Sequence, residues 1–268
     1  MRLWVLTSAF LLLATTSPRA EGESAEELAK QLVNPVASLI SVPFQFNYDH
    51  NIGPEDEGHR VTTNFQPVVP IAISDDWNVI SRTIAPITWQ NEIFPGAGSQ
   101  FGLGDVAASF FFSPNARGPG GLIWGVGPEL YLPTATDDLL GGGKWAAGPT
   151  AVALLQEGHW TVGILANHLW SFAGDEARPD IDQTYAQPFV AYTTKDAWTF
   201  SLNTETTYNW EVEQDHWSVP INAQVSKLTH IGGQAVSFGA AARYWTVSPD
   251  SGPEGFGLRF VVAFLFPE

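Results

Sequence analysis

The chain of 268 residues contains no cysteine, and no stretch of it stays apolar for long enough to form a membrane-spanning helix. Such a helix needs about 20 predominantly apolar residues, so a helical span is excluded. Without cysteine the fold does not depend on disulfides, which small exported domains often use. Basic residues are also scarce: 12 Lys and Arg stand against 28 Asp and Glu, for a formal charge of −16. An acidic chain repels phosphate backbones, so nucleic acid is excluded as a partner.

The first 20 residues have the pattern of a secretory signal peptide. Arg2 supplies the positive charge, Leu3 to Ala14 form a short apolar core, and small or polar residues lead to Ala20. An apolar core of this length is typical of a cleaved export signal. We therefore expect residues 1–20 to be removed, which leaves a mature chain with a formal charge of −18 because two arginines leave with the signal.

After residue 37 the apolar residues alternate with a period of two. Near the C-terminus, the even-numbered positions from Phe256 to Phe266 are all apolar, whereas Gly257 and Arg259 interrupt the odd-numbered face. Strands that face lipid on one side and a polar lumen on the other have this pattern. A secreted β-sandwich is the alternative for an alternating chain.

Twelve segments of this kind are separated alternately by long polar loops and short turns, which predicts a single antiparallel transmembrane β-barrel over residues 38–268. An even number of strands places both termini on the short-turn side, which is periplasmic in bacterial barrels. The segments are 38–49, 61–74, 77–90, 103–113, 121–133, 146–157, 159–171, 183–194, 197–209, 216–227, 233–246 and 254–266.

The segment ahead of the barrel predicts one short helix. Ser24 and Glu27 fit a capping box, and Leu28 and Leu32 follow at helical spacing until Asn34-Pro35 ends the pattern. We interpret residues 21–37 as a periplasmic helical lead-in to the barrel, with binding of a partner as the alternative role.

Tryptophan positions support the barrel independently. The mature chain has ten tryptophans, and each lies near a predicted strand end. Amphipathic rings at both membrane interfaces give this distribution, whereas a β-sandwich buries them near mid-strand. The same alternation points Trp245 inward and leaves Trp145 ambiguous. The predicted aromatic girdle consists of Trp77, Trp89, Trp124, Trp160, Trp170, Trp198, Trp210 and Trp217.

The alternation also assigns charged residues to the lumen. A narrow barrel fills its interior, and buried charges need partners, so these residues form either a bracing network of salt bridges or a constriction that selects solutes. The candidates are Arg82, Asp105, Glu129, Glu205, Arg243 and Arg259.

No pattern in the chain predicts a catalytic, metal or cofactor site. Gly141 to Lys144 resembles a phosphate loop, but Trp145 stands where Ser or Thr is required. His168 lies near Ser171, yet the two have opposite strand parity and their side chains diverge. The acidic long loops lack the spacing of a calcium-binding loop, so solvated loops are expected, with divalent-cation binding as the alternative. We predict that the protein is not an enzyme and uses no cofactor.

A set of short motifs is distributed along most of the mature chain. The motifs are Gly102-Leu103-Gly104-Asp105, Trp124 to Pro128, Leu132 to Asp137, Gly143-Lys144-Trp145, Gly148-Pro149, Asn167 to Ser171, and Gly257 to Phe260. In these motifs the chain resembles one outer-membrane family, the proteins assigned to the MetA pathway of phenol degradation and often labelled as transporters. The resemblance implies an outer-membrane barrel for passage of small, aromatic or hydrophobic compounds. The chain departs from many outer-membrane proteins in ending on Pro267-Glu268 after Phe266.

The sequence as a whole predicts a channel or transporter for small solutes in the outer membrane of a Gram-negative bacterium. Its expected partners are outer-membrane lipid, a small-molecule solute and the barrel-assembly machinery. Two alternatives remain: a structural or surface-interaction barrel with a closed, salt-bridged lumen, and an outer-membrane enzyme.

Overall fold

The barrel predicted from the sequence is present in the computed structural model, which describes residues 24–267. The predicted signal peptide lies outside the described residues. One α-helix, one 3₁₀ turn and fifteen β segments occur in the described part. They are α1 (Ala25–Val33), β1 (Ile40–Ile52), β2 (Gly58–Phe65), β3 (Val68–Ala72), β4 (Trp77–Asn91), β5 (Ser99–Leu103), β6 (Val106–Pro114), the 3₁₀ turn (Pro119–Gly121), β7 (Ile123–Leu132), β8 (Lys144–Glu157), β9 (Trp160–Gly174), β10 (Asp182–Thr193), β11 (Trp198–Thr204), β12 (Thr206–Asn209), β13 (Trp217–Ile231), β14 (Gln234–Val247) and β15 (Gly255–Phe266).

The fifteen segments form twelve barrel strands, because β2 with β3, β5 with β6, and β11 with β12 are interrupted halves of single strands. All neighbours are antiparallel, and the sheet closes where β15 pairs with β1. Ile40 at the start of β1 lies opposite Phe266 at the end of β15, so both ends of the barrel chain meet at one rim. The closed twelve-strand antiparallel barrel expected from the alternation is confirmed.

Strand ends differ from the prediction where hairpins are tighter than the sequence suggests. The segment 228–232, predicted as a turn, continues β13 to Ile231, which pairs directly with Gln234. Gly232 and Gly233 form the two-residue turn between them, with φ of 57° and 88°. Two successive positive φ angles match the twist of a tight hairpin, and glycine adopts them without a steric penalty.

The two faces of the wall separate as the alternation predicts. Phe260 is 55% exposed on the outside, whereas the adjacent Arg259 is 3% exposed on the inside. The same contrast recurs along the wall, and it leaves an apolar outer belt of the kind that faces lipid. The outward aromatic residues include Trp77, Trp89, Trp160, Trp170, Trp198, Trp210 and Trp217, all exposed at strand ends.

The remaining tryptophans divide between the two faces. Trp124 is half-buried and packs edge-on against Trp77 at 5.9 Å between ring centroids. Trp245 turns inward and donates its indole N–H to Asp49 at 2.8 Å. Trp145, whose direction the alternation left open, is exposed.

Helix α1 lies within the short-turn end of the barrel. Ser24 caps it by accepting the backbone N–H of Glu27 at 3.2 Å. The apolar face predicted for the helix explains the position, because Leu28 and Ala29 are buried against Leu228 and Leu265 of the barrel wall. The sequence predicted a lead-in to the barrel, and the structure instead packs this segment into the barrel's mouth.

Contacts on both sides of the mouth hold the helix in place. Gln156 of β8 donates to the backbone oxygen of Lys30 at 3.0 Å, and His159 lies 3.2 Å from the Glu26 carboxylate. Lys30 also pairs with Glu26 at 2.8 Å. The hydrogen bond from Lys30 lowers the pKa of Glu26, so this carboxylate stays charged well into the acidic range. Beyond the helix, Val36 is buried against Ile80, Phe111 and Leu154 of the wall formed by β4, β6 and β8.

Long loops cover part of the other end. Asp105 follows a one-residue shift in pairing between β5 and β6, since Leu103 opposes Ile87 but Ala107 opposes Ile84. Such a bulge redirects the side chain beside it. The Asp105 carboxylate accepts the backbone N–H groups of Ala135 and Gly142 at 3.0 and 2.6 Å, and so anchors the loop between β7 and β8.

Candidate functional site: a charged cavity in the lumen

Inward side chains from neighbouring strands form a polar band inside the barrel. The register brings them together: Arg82 of β4 lies opposite Ser109 of β6, which lies opposite Glu129 of β7. On the next part of the wall Asn167 of β9 lies opposite Tyr185 of β10. The alternation along each strand points these side chains inward, and the pairing of neighbouring strands places them at the same height, so they form a polar band.

An arginine–glutamate pair is the strongest interaction in this band. Arg259 of β15 donates two parallel hydrogen bonds to Glu205, with Nη1–Oε1 and Nη2–Oε2 distances of 2.8 Å each. Its Nε donates to Asn47 at 2.7 Å. The forked geometry matches a guanidinium to a carboxylate, so each oxygen of Glu205 accepts one hydrogen bond from Arg259.

Arg243 extends this pair into a network on one wall. Its guanidinium lies 3.6 Å from Glu205 and 3.4 Å from Asp49, and it covers the Trp245 ring at 4.3 Å from the ring centroid. Each buried arginine thus has a carboxylate within ion-pair distance, as burial of charge requires.

The rest of the lumen contains a cavity of about 480 Å³. It is lined near the long-loop end by Tyr131 and Gln183, and at the short-turn end by Ala29 of α1 and Leu228. Uncharged polar side chains and apolar side chains line it in similar numbers. The polar lining includes Gln45, Asn64, Gln66, Ser109, Asn167, Gln187, Asn203 and Gln224, and the apolar group includes Leu165, Leu169, Tyr185 and Phe189.

Four of the six charged candidates line this cavity: Arg82, Glu129, Glu205 and Arg259. The Glu129 carboxylate accepts hydrogen bonds from Ser109 at 2.8 Å and Asn167 at 2.9 Å. The other two candidates have different positions in the described part of the chain. Arg243 is buried behind Glu205, and Asp105 anchors a loop. Their inward parity was predicted from the alternation, but parity does not show which inward groups reach the open space.

The apolar part of the lining was not anticipated. Tyr185 shares parity with Gln187, and its hydroxyl donates to Gln187 at 3.1 Å. Phe189 belongs to the same inward face of β10. The alternation along β10 therefore indicates that both aromatic side chains face the lumen, but the lumen prediction included only charged residues.

The histidine considered for catalysis lies on the outer face near the long-loop rim. His168 Nδ1 is 2.7 Å from the Thr184 hydroxyl, and its Nε2 is 3.0 Å from Asp182. Ser171 is directed elsewhere and donates to Asp180 at 3.1 Å. The divergence of His168 and Ser171 follows from their opposite parity. Thr184 also accepts the indole N–H of Trp210 at 3.0 Å, so this group positions a girdle tryptophan.

Two further observations concern membrane helices and metals. None of the helices formed by residues 24–267 is both long and apolar enough to span a membrane. Over the same residues, no three histidine or acidic side chains converge in a way that would hold a metal ion.

The fold and its apolar belt define the class of the protein, an outer-membrane β-barrel. No protein-family model matches the sequence, and no curated protein matches it closely enough to be a relative. Among solved structures, an outer membrane channel from Pseudomonas putida has a TM-score of 0.66 and 12% identity, covering 85% of this chain and 96% of that one. The transport unit of the autotransporter AIDA-I from Escherichia coli has a TM-score of 0.47 and 7% identity, covering 91% and 96%.

At 12% identity the likeness to the Pseudomonas putida channel shows a shared barrel fold. The barrel part of the resemblance is confirmed, and membership of the family stays a prediction.

Proposed function

We propose that the protein passes small solutes across the outer membrane through the barrel lumen. The observation that carries this proposal is the cavity of about 480 Å³, whose polar lining runs from the long-loop end to helix α1. Its volume lies in the range of roughly 300–1,000 Å³ that is usual for small-molecule sites. A lumen built only as a scaffold would be filled by side chains at this point.

The lining suits small solutes of mixed character. Amide and hydroxyl groups replace the hydration of polar groups, while Tyr185, Phe189 and Leu165 offer apolar contact. Charged groups on the wall set which ions enter. Outer-membrane lipid against the apolar belt and the barrel-assembly machinery are the other partners that this role implies, with the outer membrane as the location.

Helix α1 is the part that must move for a solute to leave at the short-turn end. Its seat is apolar, and burial of a leucine side chain contributes about 1.5–3 kcal/mol. Leu28 is such a residue, fully enclosed between the helix and the wall. Burial of Leu28 is therefore one of the contacts that keep the helix in the mouth, and its removal should favour release of the helix.

The experiment is a comparison of wild type with Leu28→Asp in single-channel recording and in liposome swelling with small neutral solutes. A charge at position 28 cannot stay in the apolar seat, so we expect larger and more frequent openings. Glu27→Gln is the matched control, because Glu27 is on the same helix and exposed. Equal, undetectable permeability in all three folded proteins would contradict the proposed passage.

A structural barrel is the second candidate, and the network of Arg259, Glu205 and Arg243 favours it. Ion pairs from Glu205 to Arg259 and Arg243 connect inward side chains of one wall, and α1 covers the mouth. On this view the lumen stays impermeable even when α1 is displaced. The Leu28→Asp recording thus separates the two candidates.

A further inference from the structure

Of the two arginines that line the cavity, only one has a carboxylate partner. Arg259 lies within ion-pair distance of Glu205. Over residues 24–267, Arg82 has no carboxylate within that distance. Its guanidinium donates one long hydrogen bond, 3.4 Å from Nη2 to Gln66 Oε1. A guanidinium has five N–H donors, so most of its capacity faces the cavity that it lines.

The nearest acidic groups are committed to other partners. Glu129 accepts from Ser109 and Asn167 at 2.8 and 2.9 Å. Glu205 is held by both Nη atoms of Arg259. Both hydrogen bonds to Glu129 fall on Oε2, whereas both oxygens of Glu205 are bonded to Arg259. In this arrangement neither carboxylate forms an ion pair with Arg82. An anion that enters the cavity would therefore meet a guanidinium with unused N–H donors.

The wall across the lumen from Arg82 supplies apolar surface. Tyr131 comes from β7, which carries Glu129, and Phe189 and Tyr185 come from β10. Leu165 and Leu169 of β9 lie between these strands. A ligand that uses both features has one anionic group and one compact apolar body.

We infer that the cavity binds small organic monocarboxylates, with the carboxylate on Arg82 and the apolar body against Tyr185, Phe189 and Leu165. Arginine suits this role because its planar fork matches a carboxylate bidentately. The inference names the substrate class of the proposed channel and rests on that proposal for its physiological meaning. Binding itself can be measured without any passage.

The acidic loops do not oppose binding at this depth. Arg82 lies nine residues from Asn91 at the long-loop end of β4, about 30 Å along an extended strand. Charges on exposed loops are screened over about 8 Å at physiological salt. The negative charge of the loops therefore acts on the rate of entry and little on the affinity at Arg82.

The test uses the full mature barrel in detergent and two isosteric probes, benzoate and benzamide. Titration calorimetry should show that benzoate binds roughly ten- to hundredfold more tightly, the value of a charge-assisted hydrogen bond relative to a neutral one. Arg82→Gln should abolish this preference. Lys227→Gln should preserve it, because this control removes a positive charge from the outer face, where Lys227 lies over Trp198.

Three results would overturn the inference: equal binding of the two probes, no binding of benzoate by wild type, or a preference that survives Arg82→Gln. If Arg82→Gln fails to fold, Arg82→Lys takes its place and should reduce the preference, since lysine keeps the charge and loses the fork. Benzoate binding that depends on Arg82, without solute passage in the Leu28→Asp recordings, would refute the channel and leave the inference standing. Solute passage without a preference for benzoate would refute the inference and leave the proposed channel standing.

Discussion

Replacement of Glu205 by glutamine tests the charged network directly. The carboxylate is shared by Arg259, at 2.8 Å to each oxygen, and Arg243, at 3.6 Å. Glutamine has nearly the same shape but no charge. Arg259 is 3% exposed, so its guanidinium cannot recover the lost interaction from water. Removal of one partner of a buried ion pair costs about 3–5 kcal/mol, and we expect Glu205→Gln to lower the free energy of unfolding by that amount.

A double-mutant cycle separates the pair from general damage. Arg259→Gln removes the cation, so in the double variant no charge of this pair is left without its partner. The double variant should cost less than the sum of the single ones, with a coupling energy of about 1–3 kcal/mol. Glu57→Gln in the exposed loop after β1 is the control for loss of a carboxylate, and it should stay within about 0.5 kcal/mol of wild type.

The assay is equilibrium urea unfolding of the barrel in lipid, followed by tryptophan fluorescence. A Glu205→Gln protein that keeps the wild-type fold and loses less than 0.5 kcal/mol would refute the reasoning, since that is the scale of an exposed charge. Additive effects of the two substitutions would refute it as well, because they would mean that Arg259 and Glu205 act independently.

Three further predictions use other parts of the barrel. Phe260→Arg places a charge on the lipid face near the bilayer midplane and should lower the free energy of unfolding by about 2–4 kcal/mol in the same assay. An equal loss for Glu57→Gln would mean that the assay does not report the lipid face. A peptide tag inserted at 176–180 should be accessible to antibody on intact cells and one in the 195–196 turn should be protected, and the reverse result would invert the topology. Hydrogen bonds from Lys144 and Ser171 lower the pKa of Asp180. The stabilisation of the loop by the charged Asp180 should therefore be complete above the ordinary Asp pKa near 3.9, and it should be lost as the pH falls through the lowered pKa. Amide exchange at Ile181, whose N–H donates to Ser171, should show this loss of protection, and Asp180→Asn should remove its pH dependence.

The faces of the strands were predictable because side chains alternate strictly along an extended chain. Arg259 points inward and Phe260 outward, as their neighbours in sequence implied. Asp105 shows the limit of this reasoning. Its parity was inward, and its carboxylate meets the backbone of a loop some 30 residues later instead of the open cavity. Which loop covers an inward residue depends on how that loop folds, and the hydrophobic pattern does not show this.

Helix α1 illustrates a second limit. Ser24, Glu27 and the spacing of Leu28 and Leu32 predicted a helix with one apolar face. The pattern did not identify what covers that face, because many apolar surfaces satisfy it equally. Only the closed barrel shows that Leu228 and Leu265 form the seat.

The sequence by itself determined the barrel, the even number of strands, the two faces of the wall and the placement of most tryptophans near strand ends. These features depend on local periodicity and on the lengths of connections, which a chain displays without any knowledge of its partners. The tertiary structure decided which inward charges meet. Glu205 and Arg259 are 54 residues apart and form a bidentate pair, whereas Arg82 is left with a single long hydrogen bond. Partner choice depends on distances across the lumen, and those exist only once the sheet has closed.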